Sequence, residues 1–135
     1  MKRHLLFTCF LLLAVAAGAA PALAAANDAN ADQLFETAMA GEILKQAGAL
    51  PTRPACHHWR SAGGAEVDLL LERDGILYPF EIKLTAAPTR RMASGIEAFR
   101  QSHPHLRLAK GALLCAVEQP RWVSDGVLAM PWNLV

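Results

Sequence analysis

The chain has 135 residues, 53% of them hydrophobic, with 13 Lys and Arg against 12 Asp and Glu. That is room for one domain with a real apolar core, and the near balance of charge excludes a protein held to nucleic acid by a global basic surface. Three cysteines, with no Cys-x-x-Cys pair and no zinc-like Cys/His spacing, argue against a disulfide scaffold or a structural zinc site.

Met1 to Ala24 has the layout of a secretory signal peptide. Lys2 and Arg3 precede an uncharged apolar run from Leu5 to Ala20, followed by Pro21 and a small-x-small site at Ala22-Leu23-Ala24. Cleavage there predicts an exported chain, periplasmic or secreted, with no stable membrane insertion and, once Lys2 and Arg3 are gone, a slight acidic excess. The rival is an uncleaved membrane anchor, because the uncharged stretch approaches the ~20 residues that span a bilayer. A cytoplasmic chain with a displaced start is the other alternative.

Residues 25–32 read as a flexible lead-in that supplies a helix cap at Asn30 or Asp32. From there the domain runs over 33–135. A helix is predicted from Gln33 to Ala47, with Phe35, Met39 and Ile43 at helical spacing and Leu34, Ala38 and Leu44 widening the stripe. Gly48 and Pro51 end it. Glu36 leans toward the packed side, where the plain alternative is a first-turn acid favoured by the helix dipole.

Cys56 to Arg60 fits a strand, and Ser61 to Gly64 turns it into a hairpin of about Ala65 to Glu72 and Leu77 to Leu84. The Asp74-Gly75 loop favours a type I′ turn. In direct register Asp68 faces Glu81 and Glu66 faces Lys83, so four ionisable groups share one face. The other face is an apolar layer of Val67, Leu69 and Leu71 against Ile82, Phe80 and Tyr78. Like charges set opposite each other destabilise a sheet, and a divalent cation turns two repelling carboxylates into ligands.

After Pro88, a second helix carries Met92, Ile96 and Phe99 and ends near His103-Pro104. Ala112 to Val117 suits a buried strand reached by a helical crossover, and Val127 to Met130 a final one. The order is α-β-β-β-α-β-β, which makes an α/β fold with a mixed sheet flanked by helices. Arg90, Arg91, Arg100, Arg107 and Lys110 are the nearest candidates for a local phosphate contact, and read equally well as the solvated face of a helix and its exit. The chain has no internal repeat and no Gly-x-x-x-x-Gly-Lys loop for ATP.

With Glu36 in the first helix, Asp68 in the second strand and Glu81-x-Lys83 in the third, the chain resembles a restriction-endonuclease-like, PD-(D/E)xK, nuclease domain. Leu34-Phe35-Glu36-Thr37, Trp59-Arg60, Gly64-Ala65-Glu66-Val67-Asp68, Leu77-Tyr78-Pro79-Phe80-Glu81-Ile82-Lys83 and Asp125-Gly126-Val127 to Pro131-Trp132 narrow that likeness. They are similar to the C-terminal domain of unknown function in prokaryotic AAA-type ATPases.

The resemblance implies a restriction-endonuclease-like sheet in which Asp68, Glu81 and the Ile82 carbonyl hold Mg²⁺ or Mn²⁺. It implies that Lys83 orients the attacking water or stabilises charge on phosphorus, and that Glu36 completes the acidic cluster. The expected function is metal-dependent hydrolysis of phosphodiester bonds in nucleic acid. The competing readings are a catalytically inactive nuclease-fold module that binds a protein of unknown identity, and a truncated remnant of the ATPase domain. Neither the upstream ATPase nor its DNA-binding segment carries over, because a signal-like sequence stands in their place.

Overall fold

Phe35, Met39, Ile43 and Ala47 recur every four residues and are all buried, which is how a helix presents one face to a sheet. They belong to α1 (Ala29–Gly48) in a computed structural model that describes residues 29–134. The signal-peptide reading of residues 1–24, and residues 25–28 of the lead-in, lie outside the described residues. Among the described residues no helix is long and apolar enough to cross a membrane.

Helix α1 starts four residues before the expected Gln33, so 29–32 is helical and not a flexible lead-in. Asp32 therefore sits inside the first turn, where its Oδ1 accepts the Leu84 N–H at 2.8 Å. The buried stripe is also narrower than expected. Leu34 is 72% exposed, and Ala38 and Leu44 are exposed too, because the sheet covers only the four-residue row.

Six strands follow: β1 (Ala55–Arg60), β2 (Glu66–Arg73), β3 (Ile76–Ile82), β4 (Gly111–Cys115), β5 (Arg121–Ser124) and β6 (Val127–Pro131). They form one mixed sheet in the order β1-β2-β3-β4-β6-β5. β1, β2 and β3 pair antiparallel, β4 runs parallel to both β3 and β6, and β5 closes the far edge antiparallel to β6. The connection from β3 to β4 carries a 3₁₀ turn (Arg90–Ala93) and α2 (Ser94–Ser102). It is the expected helical crossover, and all five residues of β4 are buried, as a strand covered on both faces requires.

The expected order lacked β5. Its signal was present in Asp125-Gly126, a turn dipeptide between two short half-apolar runs. Arg121 and Trp122 are exposed, so the segment has too few buried residues to stand out by hydropathy.

Asp74 and Gly75 have φ of 54° and 70°, as a type I′ turn demands. The direct register holds from Arg73–Ile76 up to Leu69–Phe80 and stops there. On the other side of β2, His57 pairs with Leu70 and Trp59 with Val67, so β2 has one residue more than β1 across that interval. This is a β-bulge, which inverts the facing of what precedes it. Val67 consequently leaves the expected Leu69 and Leu71 layer and packs on the opposite side.

Each face has its own core. Leu69, Phe80, Ile82, Ala112 and Leu114 meet α1, with Phe35 edge-on to Trp132 at 6.4 Å. Val67, Leu70, Leu113, Cys115, Val127 and Ala129 meet Ala93, Ile96 and Phe99 on the α2 side. Fully buried residues such as Ile82 and Ile96 contribute ~1.5–3 kcal/mol each relative to exposure. Pro79 is buried within β3, in the interval between the Leu77–Leu108 bridge and the Phe80–Ala112 pair, where the ladder toward β4 is interrupted.

Cys56 lies on β1 and Cys115 on β4, three steps apart in the sheet, and both are free thiols. Neighbouring strands are ~4.8 Å apart, which exceeds the ~7 Å Cα limit of a disulfide after three steps. Peptide mapping without reductant should recover no Cys56–Cys115 bridge. Alkylation of the native chain should label exposed Cys56 and leave Cys115 unlabelled until denaturation, since burial also pushes the Cys115 thiol up. A bridged peptide would contradict the strand order.

Candidate functional site

The bulge in β2 places Asp68 where the β2–β3 ladder would continue, and its side chain takes over the ladder's work. Ile82 donates its backbone N–H to Asp68 Oδ2 at 2.8 Å. A charge-assisted bond of this kind is stronger than the neutral bond it replaces. The same oxygen lies 3.7 Å from Lys83 Nζ, and the Asp68 side chain is only 4% exposed. Lys83 is held from behind, because its N–H donates to the Leu114 carbonyl of β4 at 2.9 Å.

Glu81 alternates with Phe80 and Ile82 and therefore points to the α2 side. It is 3% exposed, and its carboxyl hydrogen-bonds to Asp68. Burial first, then the Asp68 charge, pushes Glu81 up to about 9; Lys83 opposes this, and the Asp68 hydrogen bond and the Glu66 charge add to it. The Asp68–Glu81 contact therefore favours retention of a proton by the pair at neutral pH.

Gly95, in the first turn of α2, makes this burial geometrically feasible. A Cβ there would overlap the Glu66 carbonyl oxygen and the Glu81 carboxylate. Sequence reasoning missed Gly95. Its signal was a helix-disfavouring glycine inside an otherwise amphipathic helix.

Glu36 arrives from the other layer. Asp32 and Glu36 are one helical turn apart on the same face of α1, so the bond from Asp32 to Leu84 brings Glu36 to the end of β3. Burial first, then the Asp68 charge, raises Glu36; Lys83 opposes, and Glu66 and Asp32 add to the rise. For Lys83, burial pulls downward, and the negative charges of Asp68, Glu81, Asp32 and Glu36 outweigh it, so its ammonium is held above the usual lysine range.

Asp68, Glu81 and Lys83 thus meet at one point, and Glu36 is electrostatically coupled to Asp68 and Lys83. Glu66 does not face Lys83 as the direct register required. The bulge breaks that register, and Glu66 Oε2 instead lies 3.7 Å from Arg60 Nε on the neighbouring β1. Ile82 reaches the cluster through its N–H.

Among the described residues no group of three or more His, Cys, Asp or Glu side chains is arranged to hold a metal ion. The donor chemistry fits a cation held by fewer protein ligands. Asp68 and Glu81 offer hard oxygen atoms in mutual contact, the donor type that Mg²⁺ and Mn²⁺ take.

Residues 31–135 match the family described as Domain of unknown function (DUF4143). An uncharacterized protein of Mycobacterium bovis and one of Mycobacterium tuberculosis are each 35% identical to the chain over 91 residues, covering 67% of this chain. The aligned region is 20% of the length of either relative. No solved structure matches the chain.

Two outcomes follow from the buried pair. In the folded chain Glu81 keeps its proton up to about pH 9, whereas on unfolding it reverts toward its ordinary 4.5. Its contribution to stability is therefore fully present below the unfolded value and is lost as pH rises toward the folded one. In metal-free buffer the wild type should melt at a lower temperature at about pH 8.5 than at about pH 5.5, and Glu81→Gln, which cannot ionise, should lose markedly less. Equal pH slopes would show that Glu81 does not carry the buried proton.

Gly95→Ala should lower stability by about 2 kcal/mol or more by overpacking, although alanine is the better helix former by ~1 kcal/mol. Urea unfolding measures this, and a stabilised Gly95→Ala chain would contradict the close approach of α2 to Glu81.

Proposed function

The chain belongs to the DUF4143 family of domains of unknown function, and we propose that in this member Asp68, Glu81, Lys83 and Glu36 form a metal-dependent phosphodiesterase site that acts on nucleic acid. On this reading the fold is of the restriction-endonuclease-like, PD-(D/E)xK, kind. The single observation that carries the proposal is the buried contact between the Asp68 and Glu81 carboxyl groups beside the Lys83 ammonium. Two acids and a lysine are together at the end of β3, where a phosphate ester needs both charge neutralisation and a positioned cation.

Asp68 and Glu81, with the Ile82 carbonyl, would hold Mg²⁺ or Mn²⁺. Bound there, such an ion supplies electrostatic stabilisation of the phosphoryl oxygens and a lower pKa for a coordinated water. The side chains supply the rest. Lys83, anchored through its backbone to β4 and through its ammonium to Asp68, stabilises charge that builds on the non-bridging oxygens as water attacks phosphorus and the leaving oxygen departs. Glu36 completes the acidic cluster from α1.

A second reading is favoured by the depth of Glu81. A carboxyl that is 3% exposed and protonated at neutral pH satisfies its partner without any cation. The cluster is then a structural knot in a catalytically silent interaction module.

Thermal melting against cation concentration separates the two. For a metal site, millimolar Mg²⁺ or Mn²⁺ should raise the wild-type melting temperature according to RT ln(1 + [L]/Kd), and Asp68→Asn and Glu81→Gln should lose most of that rise. Lys83→Ala should keep the metal response and lose cleavage of nucleic acid by ~10²-fold or more. In metal-free buffer Asp68→Ala should cost about 2–3 kcal/mol, because it orphans the Ile82 N–H and unpairs Lys83. Absence of any metal-dependent shift in the wild type assigns the chain to the silent module.

A further inference from the structure

Beyond Phe80, β3 loses its neighbour on one side, because pairing with β2 ends at Leu69–Phe80. Toward β4 the line of hydrogen bonds runs on. Lys83 donates its N–H to the Leu114 carbonyl at 2.9 Å, and Ala116 donates to the Thr85 carbonyl at 2.8 Å. Along an extended chain successive N–H groups point to opposite sides. Ile82 and Leu84 therefore aim theirs at the side that β2 has left.

Two carboxylates take the place of the missing strand. Ile82 donates to Asp68 Oδ2 at 2.8 Å, and Leu84 donates to Asp32 Oδ1, also at 2.8 Å. Asp68 comes from β2 and Asp32 from α1, 52 residues away from Leu84 in sequence. Lys83 lies between the two bonds. Three consecutive N–H groups are thus held by three different elements, and the outer two bonds are charge-assisted, the stronger kind.

The helix alone does not account for Asp32. An acid in a first turn is favoured by the helix dipole wherever its side chain points, but this one turns an oxygen off its own helix and onto a strand. Leu84 also buries its side chain in the α1 core with Phe35 and Met39. A directed bond and a packed side chain therefore fix helix against strand end at a single residue. The Asp32 charge is felt at both Lys83 and Glu36, while the ion pair of Lys83 is with Asp68.

We propose that Asp32 is a positioning residue of the acidic cluster: by holding the Leu84 N–H it fixes the strand end that carries Lys83 and, through α1, seats Glu36 beside it. The inference rests on the phosphodiesterase reading of the cluster and deepens it. A reacting group misplaced by ~1 Å costs up to ~10²-fold in rate, so the role is read in kcat.

The measurement is steady-state cleavage of short labelled DNA and RNA, duplex and single-stranded, by the full chain in millimolar Mn²⁺, at a temperature where every variant is folded. Asp32→Ala leaves the Leu84 N–H without its acceptor and should lower kcat by about tenfold or more, with KM within about twofold. It should keep the rise in melting temperature that Mn²⁺ gives the wild type, because Asp68 and Glu81 stay in contact. Asp32→Asn keeps an acceptor oxygen in place and should cleave within about threefold of the wild type. Asp32→Glu keeps the charge but carries its oxygens one methylene further, and should cleave several-fold more slowly.

Ala47→Gly, at the far end of α1, loosens the helix without touching the strand end and should leave kcat within about twofold. If it slows cleavage as much as Asp32→Ala does, the effect is general helix stability and the proposal fails. Normal cleavage by Asp32→Glu with loss in Asp32→Asn makes Asp32 a source of charge and overturns the positioning role. Should Asp32→Ala not fold, the Asn and Glu variants decide by themselves. A wild type that neither cleaves nor responds to Mn²⁺ overturns the phosphodiesterase reading and this role with it, whereas a cleaving wild type matched by Asp32→Ala overturns the role alone.

Discussion

A carboxylate standing in for a backbone carbonyl is the constraint on which the rest of this structure depends. Asp68 sits at the bulge of β2, and the Ile82 N–H that a ladder would have satisfied is satisfied by its side chain instead. Because a buried N–H must find an acceptor, Asp68 cannot move away without leaving β3 unpaired at that point. The same oxygen then holds Lys83, and the Glu81 carboxyl next to it must keep a proton to remain buried. One inserted residue in a strand thereby brings two carboxyl groups and a lysine into contact.

The two helices supply the walls of that arrangement, each for its own reason. Helix α1 is tied by Asp32 to Leu84, and the helical repeat then carries Glu36 to the same end of β3. Helix α2 comes close because Gly95 has no side chain, so its backbone lies over Glu66 and Glu81 where any other residue would collide. The site is built where the two layers meet the strand ends, with Glu36 coming from α1 and Glu81 from the face of β3 that α2 covers. The polar cost of burying Glu81 is carried by α2 packing, with Ile96 and Phe99 set in a continuous apolar cluster with Val67 and Leu113.

Charge on this domain is a matter of position more than of total. The chain as a whole is nearly neutral, yet Arg100 is fixed on the Leu108 and Ala109 carbonyls, Lys110 lies over the Trp122 ring, and Lys83 is raised by the acids around it. Of the basic residues in the stretch from 90 to 110, Arg91 and Arg107 stay at the exposed surface, while Arg90, Arg100 and Lys110 gather with Glu97 and Asp125 around a cleft between α2 and the β5–β6 hairpin. A helix and a distant hairpin must pack together for that to happen, and β5 is the element that closes the distance.

Patterns of short range were legible in the residues themselves. The four-residue apolar row of α1, the Asp-Gly turn, the register from Leu69 to Arg73 and the continuous apolar run of β4 each follow from local geometry, and they place Asp68, Glu81 and Lys83 on adjoining strands. The likeness to a domain of unknown function was legible too, and it agrees with the family match.

What needed the tertiary structure was everything that depends on two distant segments competing for the same partner. The bulge arises where β1, β3 and the Asp68 side chain all claim hydrogen bonds of one stretch of β2, which no periodicity records. It turned Val67 to the other core and sent Glu66 to Arg60 in place of Lys83. Likewise the exposed β5, the role of Gly95 and the gathering of Arg100 and Lys110 are set by packing across more than ten residues of chain, where the physical forces are the same but the neighbours cannot be read off the sequence.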